Sequence, residues 1–235
     1  AVNCNGDPEL PRPSRASIWF DYEGVPALTD PRVDGAYLDS VGWSAFDASE
    51  NFRREHWATA DIPLVVSFRA EAPAQLAGFA AYEIYGAIAE AMHQRGKLTL
   101  ANTFPYCHQF YAHQVDVLGA GEAANLEAFH DPERLGFCRA LAYRKPVSHM
   151  NYAYFSPDVP AEEKERAMQR TLVYGVWPGS GNGASVEQME KSRPLYRKYM
   201  PLFDALATAG WEPITLAAAR PSTVIVERYG SPQRG

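Results

Sequence analysis

Short apolar runs alternate with longer amphipathic stretches along this chain, and the two patterns have different periods. SIWFDYE (17–23), GAYLDS (35–40), PLVVSF (63–68), KLTLAN (97–102), VDVLGAG (115–121) and KPVSHMNY (145–152) are predicted strands. Their near-continuous apolar character suits parallel strands covered on both faces. Between them the period changes to that of a helix. Over residues 73–95, Leu76, Phe79, Ala80, Ile84, Ala87, Ile88 and Met92 form one apolar stripe, with Pro73 near its start and Gly96 just past its end. Asp131-Pro132 opens a helix that ends near Tyr143, and Pro160 with Glu162 and Glu163 opens another through Met168, Leu172 and Val173. Leu195, Tyr199, Leu202, Phe203 and Leu206 stripe a last helix that Gly210 stops. Acidic residues in first turns agree with the helix dipole.

Residues 1–16 are rich in Pro, Asn, Gly and Asp and read as a loop, whereas ITLAA and TVIVERYG suggest C-terminal β-strands within 212–230. Strand, helix, strand, helix in this order predicts an α/β fold with right-handed parallel crossovers. The expectation is a single (β/α)-barrel-like domain of five or six strand–helix units.

Four of the predicted strands end in polar residues: Asp39 after GAYL, Asn102 after LTLA, Glu122 after VDVLGAG, and Asn151 with Tyr152 after PVSHM. In α/β folds the carboxyl ends of the strands face the substrate crevice. Two carboxyl groups facing one cleft can divide the work of cleaving a glycosidic bond. Trp43, Phe104, Tyr106, Phe110, Tyr111, Tyr152, Tyr154, Phe155 and Trp177 lie in or near the loops after those strands. Aromatic faces pack on sugar C–H surfaces, while side chains such as His108 and Asn102 bind hydroxyls. Most aromatic residues of any protein are nonetheless core or ordinary surface.

VDGAYLDSVGW, LTLAN, VDVLGAGE and the aromatic-rich KPVSHMNYAYF resemble the middle and late strands of (β/α)8-barrel glycoside hydrolases. In many such enzymes a strand of the form D-G-x-y-x-D ends in a working Asp. The resemblance implies that Asp39 and Glu122 are the catalytic pair, with Asn102, Tyr152, Trp43 and Trp177 lining sugar subsites. It spans roughly residues 17–215. A full barrel typically takes about 250 residues and eight units, so the resemblance also implies a fragment, a natural partial barrel, or a homodimer or second chain that completes the barrel.

Rival carboxylates are Asp21 and Glu23 at the end of IWFDYE, and Asp116 inside VDVLG; Asp34 suits a turn or cap. His108 and His113 are five apart, unlike the i, i+4 pair of a zinc helix, so a metal-dependent hydrolase using them with His149 is a lesser reading. Lys97 and Lys145 sit at strand starts, the wrong end for Schiff-base chemistry. GSGNG (179–183) lacks the Lys-Ser/Thr of a P-loop and reads as a loop over the site.

Composition narrows the partners. The 235 residues carry 22 basic and 28 acidic side chains, a formal charge of −6 with the signs interspersed, so nucleic acid is not an expected partner. No apolar run approaches the roughly 20 residues of a membrane helix, so no membrane partner is expected either. Three cysteines, Cys4, Cys107 and Cys138, show neither CxxC spacing nor an even count. They leave the compartment open, leaning to secreted or periplasmic. The expectation is thus a cofactor-free glycoside hydrolase with a carbohydrate substrate; the alternative is a non-catalytic carbohydrate-binding or assembly module derived from such a barrel.

Overall fold

The computed structural model describes residues 13–39, 41, 49–57, 61–102, 109–123, 131–179, 184–214, 219–220 and 224–231. The fold is α/β, and the chain divides into two compact units, Ala1–Asp116 and Val117–Gly235.

The first unit begins with helix α1 (Arg15–Ile18), a π-helical turn over Trp19–Glu23 and helix α2 (Val25–Thr29). SIWFDYE is therefore helical, contrary to the strand its apolar content suggests. Ser14 is the reason: its hydroxyl accepts from the Ser17 N–H while the Ser17 hydroxyl receives the Ser14 N–H, a reciprocal cap that starts a helix. Asp21 and Glu23 consequently stand exposed on a helical turn.

Strand β1 (Gly35–Leu38) follows, and then an antiparallel sheet in the order β2 (Glu50–Asn51), β4 (Ala72–Leu76), β3 (Val65–Ser67). PLVVSF thus lies in a hairpin rather than among parallel strands. Its turn uses Glu71 at φ 50°, and the Ser67 hydroxyl accepts the Ala70 N–H. Pro73 pairs opposite Val66 within β4, so helix α3 (Ala77–His93) begins four residues later than the proline suggests. Its predicted stripe is realised by Ala80, Ile84, Ile88 and Met92, all buried. Gly96 ends the helix at φ 66°, which brings the Lys97 N–H back to the Met92 carbonyl at 3.0 Å. Strand β5 (Leu98–Ala101) then pairs parallel with β1.

The second unit repeats strand and helix: β6 (Val117–Ala123), α4 (Pro132–Ala142), β7 (Val147–Asn151), α5 (Ala161–Val173), β8 (Val176–Gly179) and α6 (Val186–Ala209). β6, β7 and β8 pair parallel in that order. Strand β8 is shorter than the predicted strands and is interrupted by Pro178, which hid it from the apolar pattern. Asp131 caps α4, its carboxylate accepting the Glu133 N–H at 3.0 Å, and Gly210 follows α6, as the sequence predicts. Among the described residues the C-terminal segment forms a two-residue antiparallel pair, β9 (Trp211–Glu212) with β10 (Arg228–Tyr229), so TVIVERYG is a strand only at its end, and all of the expected ITLAA strand but Ile214 lies outside the described residues. The core between α5 and α6 is built from Ala167, Met168, Tyr199 and Phe203 together with Ala153 and Tyr154. Full burial of a side chain such as Met168 or Phe203 stabilises by about 1.5–3 kcal/mol. Among the described residues, no helix is long and apolar enough to cross a membrane.

Strand starts are held by buried or half-buried charges bonded to backbone. In the second unit the Arg139 guanidinium, 5% exposed, donates to the carbonyls of Tyr143 and Lys145 before β7 and of Tyr174 and Gly175 before β8, at 2.8–3.0 Å. Burial disfavours the charged form of Arg139, and these four bonds offset that cost. In the first unit Lys97 Nζ donates to the Ala27 and Asp30 carbonyls, at 2.6 and 2.7 Å, within and just past α2 respectively. Asp116 accepts from the Thr99 N–H and hydroxyl at the start of β5, and contacts His93 Nε2 at 2.9 Å. Partial burial pushes the Asp116 carboxyl up, but the bonds from His93 and Thr99 outweigh it and hold its pKa below the ordinary value. Lys97 and Asp116 are therefore accounted for by the fold.

Replacing Arg139 with Met keeps the bulk but strands four carbonyls. The expected cost is about 3–5 kcal/mol of unfolding free energy, read from urea denaturation; a loss below about 1 kcal/mol would mean that the guanidinium is not what holds these turns.

Candidate functional site

In the first unit, Leu38 stands opposite Ala101 across the parallel pair, so Asp39 and Asn102 leave their strands at the same end. The Asn102 N–H donates to the Leu38 carbonyl at 2.8 Å, and its Nδ2 donates to Asp39 Oδ1 at 3.1 Å. The Tyr37 hydroxyl donates to the same oxygen at 3.1 Å. Residues i and i+2 of a strand share a face, which is why Tyr37 reaches Asp39. Asn102 is buried while Asp39 and Tyr37 are exposed, so a fixed amide orients a solvent-facing carboxylate. Tyr37 is the residue that apolar patterning misses: it reads as a strand aromatic, and only the alternation with Asp39 marks it as a donor.

In the second unit, β6 carries an irregularity between Gly119 and Glu122, with Gly121 at φ 105°. That backbone geometry favours glycine, and a bulge at a strand end re-aims the next residue. Glu122 follows directly, paired with Met150 of β7; its side chain lies outside the described residues. Asp39 and Glu122 belong to different units.

Asn151 ends β7 and is fully buried, its Oδ1 accepting the Ala153 N–H at 2.9 Å to cap the 3-10 turn Tyr152–Tyr154. Tyr152 opens that turn and is half-buried. Tyr154 is wholly buried, near His149 (5.9 Å between ring centroids) and Tyr196 (6.3 Å), and Phe155 stacks on Tyr196 at 5.8 Å. Burial pushes the Tyr154 and Tyr196 hydroxyls well above the ordinary phenol range. Trp177 stands within β8, its ring 5.5 Å from that of Phe203 of α6. In the first unit Tyr111 is buried and donates its hydroxyl to the Gly78 carbonyl, while Phe110 packs near Phe79 and Tyr82. Trp43, Phe104, Tyr106, Cys107, His108 and most of GSGNG lie outside the described residues.

The remaining candidates sort by their contacts. His113 Nε2 lies 3.1 Å from the Tyr82 hydroxyl, and among the described residues no group of three His, Cys, Asp or Glu side chains could hold a metal ion. Cys138 is buried in α4, which pushes its thiol up to about 11, far from a nucleophilic thiolate. The Asp34 carbonyl accepts the Leu98 N–H at 2.9 Å, a backbone role in the turn before β1. What the described arrangement offers chemically is a positioned carboxylate at a strand end. A carboxylate so placed can act on a substrate as base or nucleophile.

No protein-family model, curated protein or solved structure matches the chain.

Asn102→Ala removes the buried donor to Asp39 without touching the exposed carboxylate. The expected cost is about 1–2 kcal/mol in urea denaturation; an unchanged midpoint would mean that the Asn102–Asp39 bond contributes nothing to the fold.

Proposed function

We propose that the chain is a glycoside hydrolase, or the part of one that carries its carboxylates, acting on an oligo- or polysaccharide without a cofactor. The observation that supports this most is Asp39: an exposed carboxylate at the carboxyl end of a parallel strand, held in one orientation by Asn102 and Tyr37. Glycosidic cleavage needs one carboxyl to protonate the leaving oxygen and a second to attack the anomeric carbon or activate water. Asp39 is the proposed nucleophile or base and Glu122 the acid, and the reverse assignment satisfies the same chemistry. Two donors on Asp39 Oδ1 fix the direction in which its carboxylate faces, which suits the first of these roles. Tyr37 and Tyr152 are the proposed sugar-facing aromatics among the described residues, since both stand at the strand ends and neither is wholly buried.

The test is hydrolysis of a panel of polysaccharides and chromogenic glycosides by the purified chain. Asp39→Asn retains an Oδ1 acceptor for Tyr37 and Asn102, so the fold is expected to hold while turnover falls by about a thousandfold or more, and the same fall is expected for Glu122→Gln. Undiminished turnover in both variants would contradict the carboxylate pair. Sugar binding without turnover by the natural chain would instead favour the binding-module reading.

A further inference from the structure

The second unit contains a cavity of about 460 Å³ between the first two turns of α5 and the N-terminal half of α6. Its size is ordinary for a small-molecule site. One wall is aliphatic, formed by Pro157, Val159, Pro194 and Leu195. Val159 and Leu195 also pack on the Met168–Phe203 core, so that wall is anchored rather than loose. Among the described residues no aromatic ring lines the cavity, which makes that lining a poor platform for stacking a sugar or a nucleobase.

Three lysines border it, against one carboxylate. Two of them are neutralised within the protein: Lys191 pairs with Glu187 at 2.8 Å, and Lys198 pairs with Glu165, whose carboxylate also accepts the Tyr199 hydroxyl at 2.9 Å. Lys164 is different. Its Nζ donates to the Ser156 carbonyl at 2.7 Å, and among the described residues no carboxylate lies within ion-pair distance of it. An ammonium has three donors, and a cation drawn partly out of water is costly unless an anion accompanies it. Partial burial lowers the Lys164 pKa, as expected of an ammonium drawn partly out of water.

We infer that this cavity binds a small aliphatic carboxylate, its anion on Lys164 Nζ and its chain along Val159 and Leu195. The net positive border selects the anion, and the aliphatic wall selects the chain. This site is independent of the carbohydrate reading, since none of its residues is among those proposed for hydrolysis.

Isothermal titration of the full chain with octanoate, and separately with 1-octanol, tests the inference. The expected result is saturable one-to-one binding of octanoate, with 1-octanol weaker by about tenfold or more because it lacks the charge-assisted bond. Lys164→Met is expected to weaken octanoate by about tenfold or more, and Lys164→Arg, which keeps the charge, to stay within about threefold of the natural chain. Absence of saturable octanoate binding, equal affinity for 1-octanol, or undiminished affinity in a folded Lys164→Met would each overturn it. If Lys164→Met fails to fold, the comparison of octanoate with 1-octanol on the natural chain decides alone.

Discussion

A single guanidinium bonded to four carbonyls sets the register on which the second unit depends. Arg139 reaches from the last turn of α4 to the turns that feed β7 and β8, so the starts of two parallel strands are pinned to one point. Buried carbonyls without partners are expensive, and a buried charge without partners more so. Each requirement is met here by the other. The first unit solves the same problem with two smaller devices: Lys97 on the carbonyls at the end of α2, and Asp116 on the amide and hydroxyl of Thr99.

Because the strand starts are secured in this way, the polar residues at the strand finishes are not all needed for folding, and they divide into two kinds. Asn102 and Asn151 are buried and spend hydrogen bonds on the structure, one on Leu38 and Asp39, the other on the Tyr152–Tyr154 turn. Asp39 is exposed and receives bonds from Asn102 and Tyr37, side chains that fix where it points. A solvent-facing carboxylate held by its neighbours is the usual arrangement for a group that acts on something outside the chain, and a buried amide beneath it is the usual support. That division of labour, with the register irregularity at Gly121 just before Glu122, is what the proposed hydrolase chemistry rests on.

Much of this was legible in the sequence where periodicity and capping chemistry agree. The stripe Ala80, Ile84, Ile88 and Met92, the Asp131-Pro132 helix start, the Gly96 and Gly210 stops and the parallel strands GAYL, LTLA and VSHMN are all present. The failures have local physical causes. SIWFDYE is apolar enough for a strand, but the reciprocal Ser14–Ser17 cap makes it helical. The β3–β4 hairpin turns through Glu71 at positive φ, a conformation that no glycine or asparagine announces. At the candidate site, the strand-end positions of Asp39 and Asn102 could be read from the alternation of strand and loop, whereas the bond between them depends on the β1–β5 register, which no single segment encodes. The aromatic residues divide the same way: sequence gives their number near strand ends, and only packing assigns Tyr111 and Tyr154 to the core.

The proposed function requires that ligand meet the carboxyl ends of the strands and not their starts. Amide chemical-shift mapping of the isotopically labelled chain against a mixture of neutral oligosaccharides tests it directly. Perturbations are expected at the carboxyl ends of the strands in each unit, at Asp39 and Asn102 in the first and at Glu122, Asn151 and Tyr152 in the second; perturbations confined to the turns at Gly96–Lys97, Tyr143–Lys145 and Tyr174–Gly175 would contradict the proposed function.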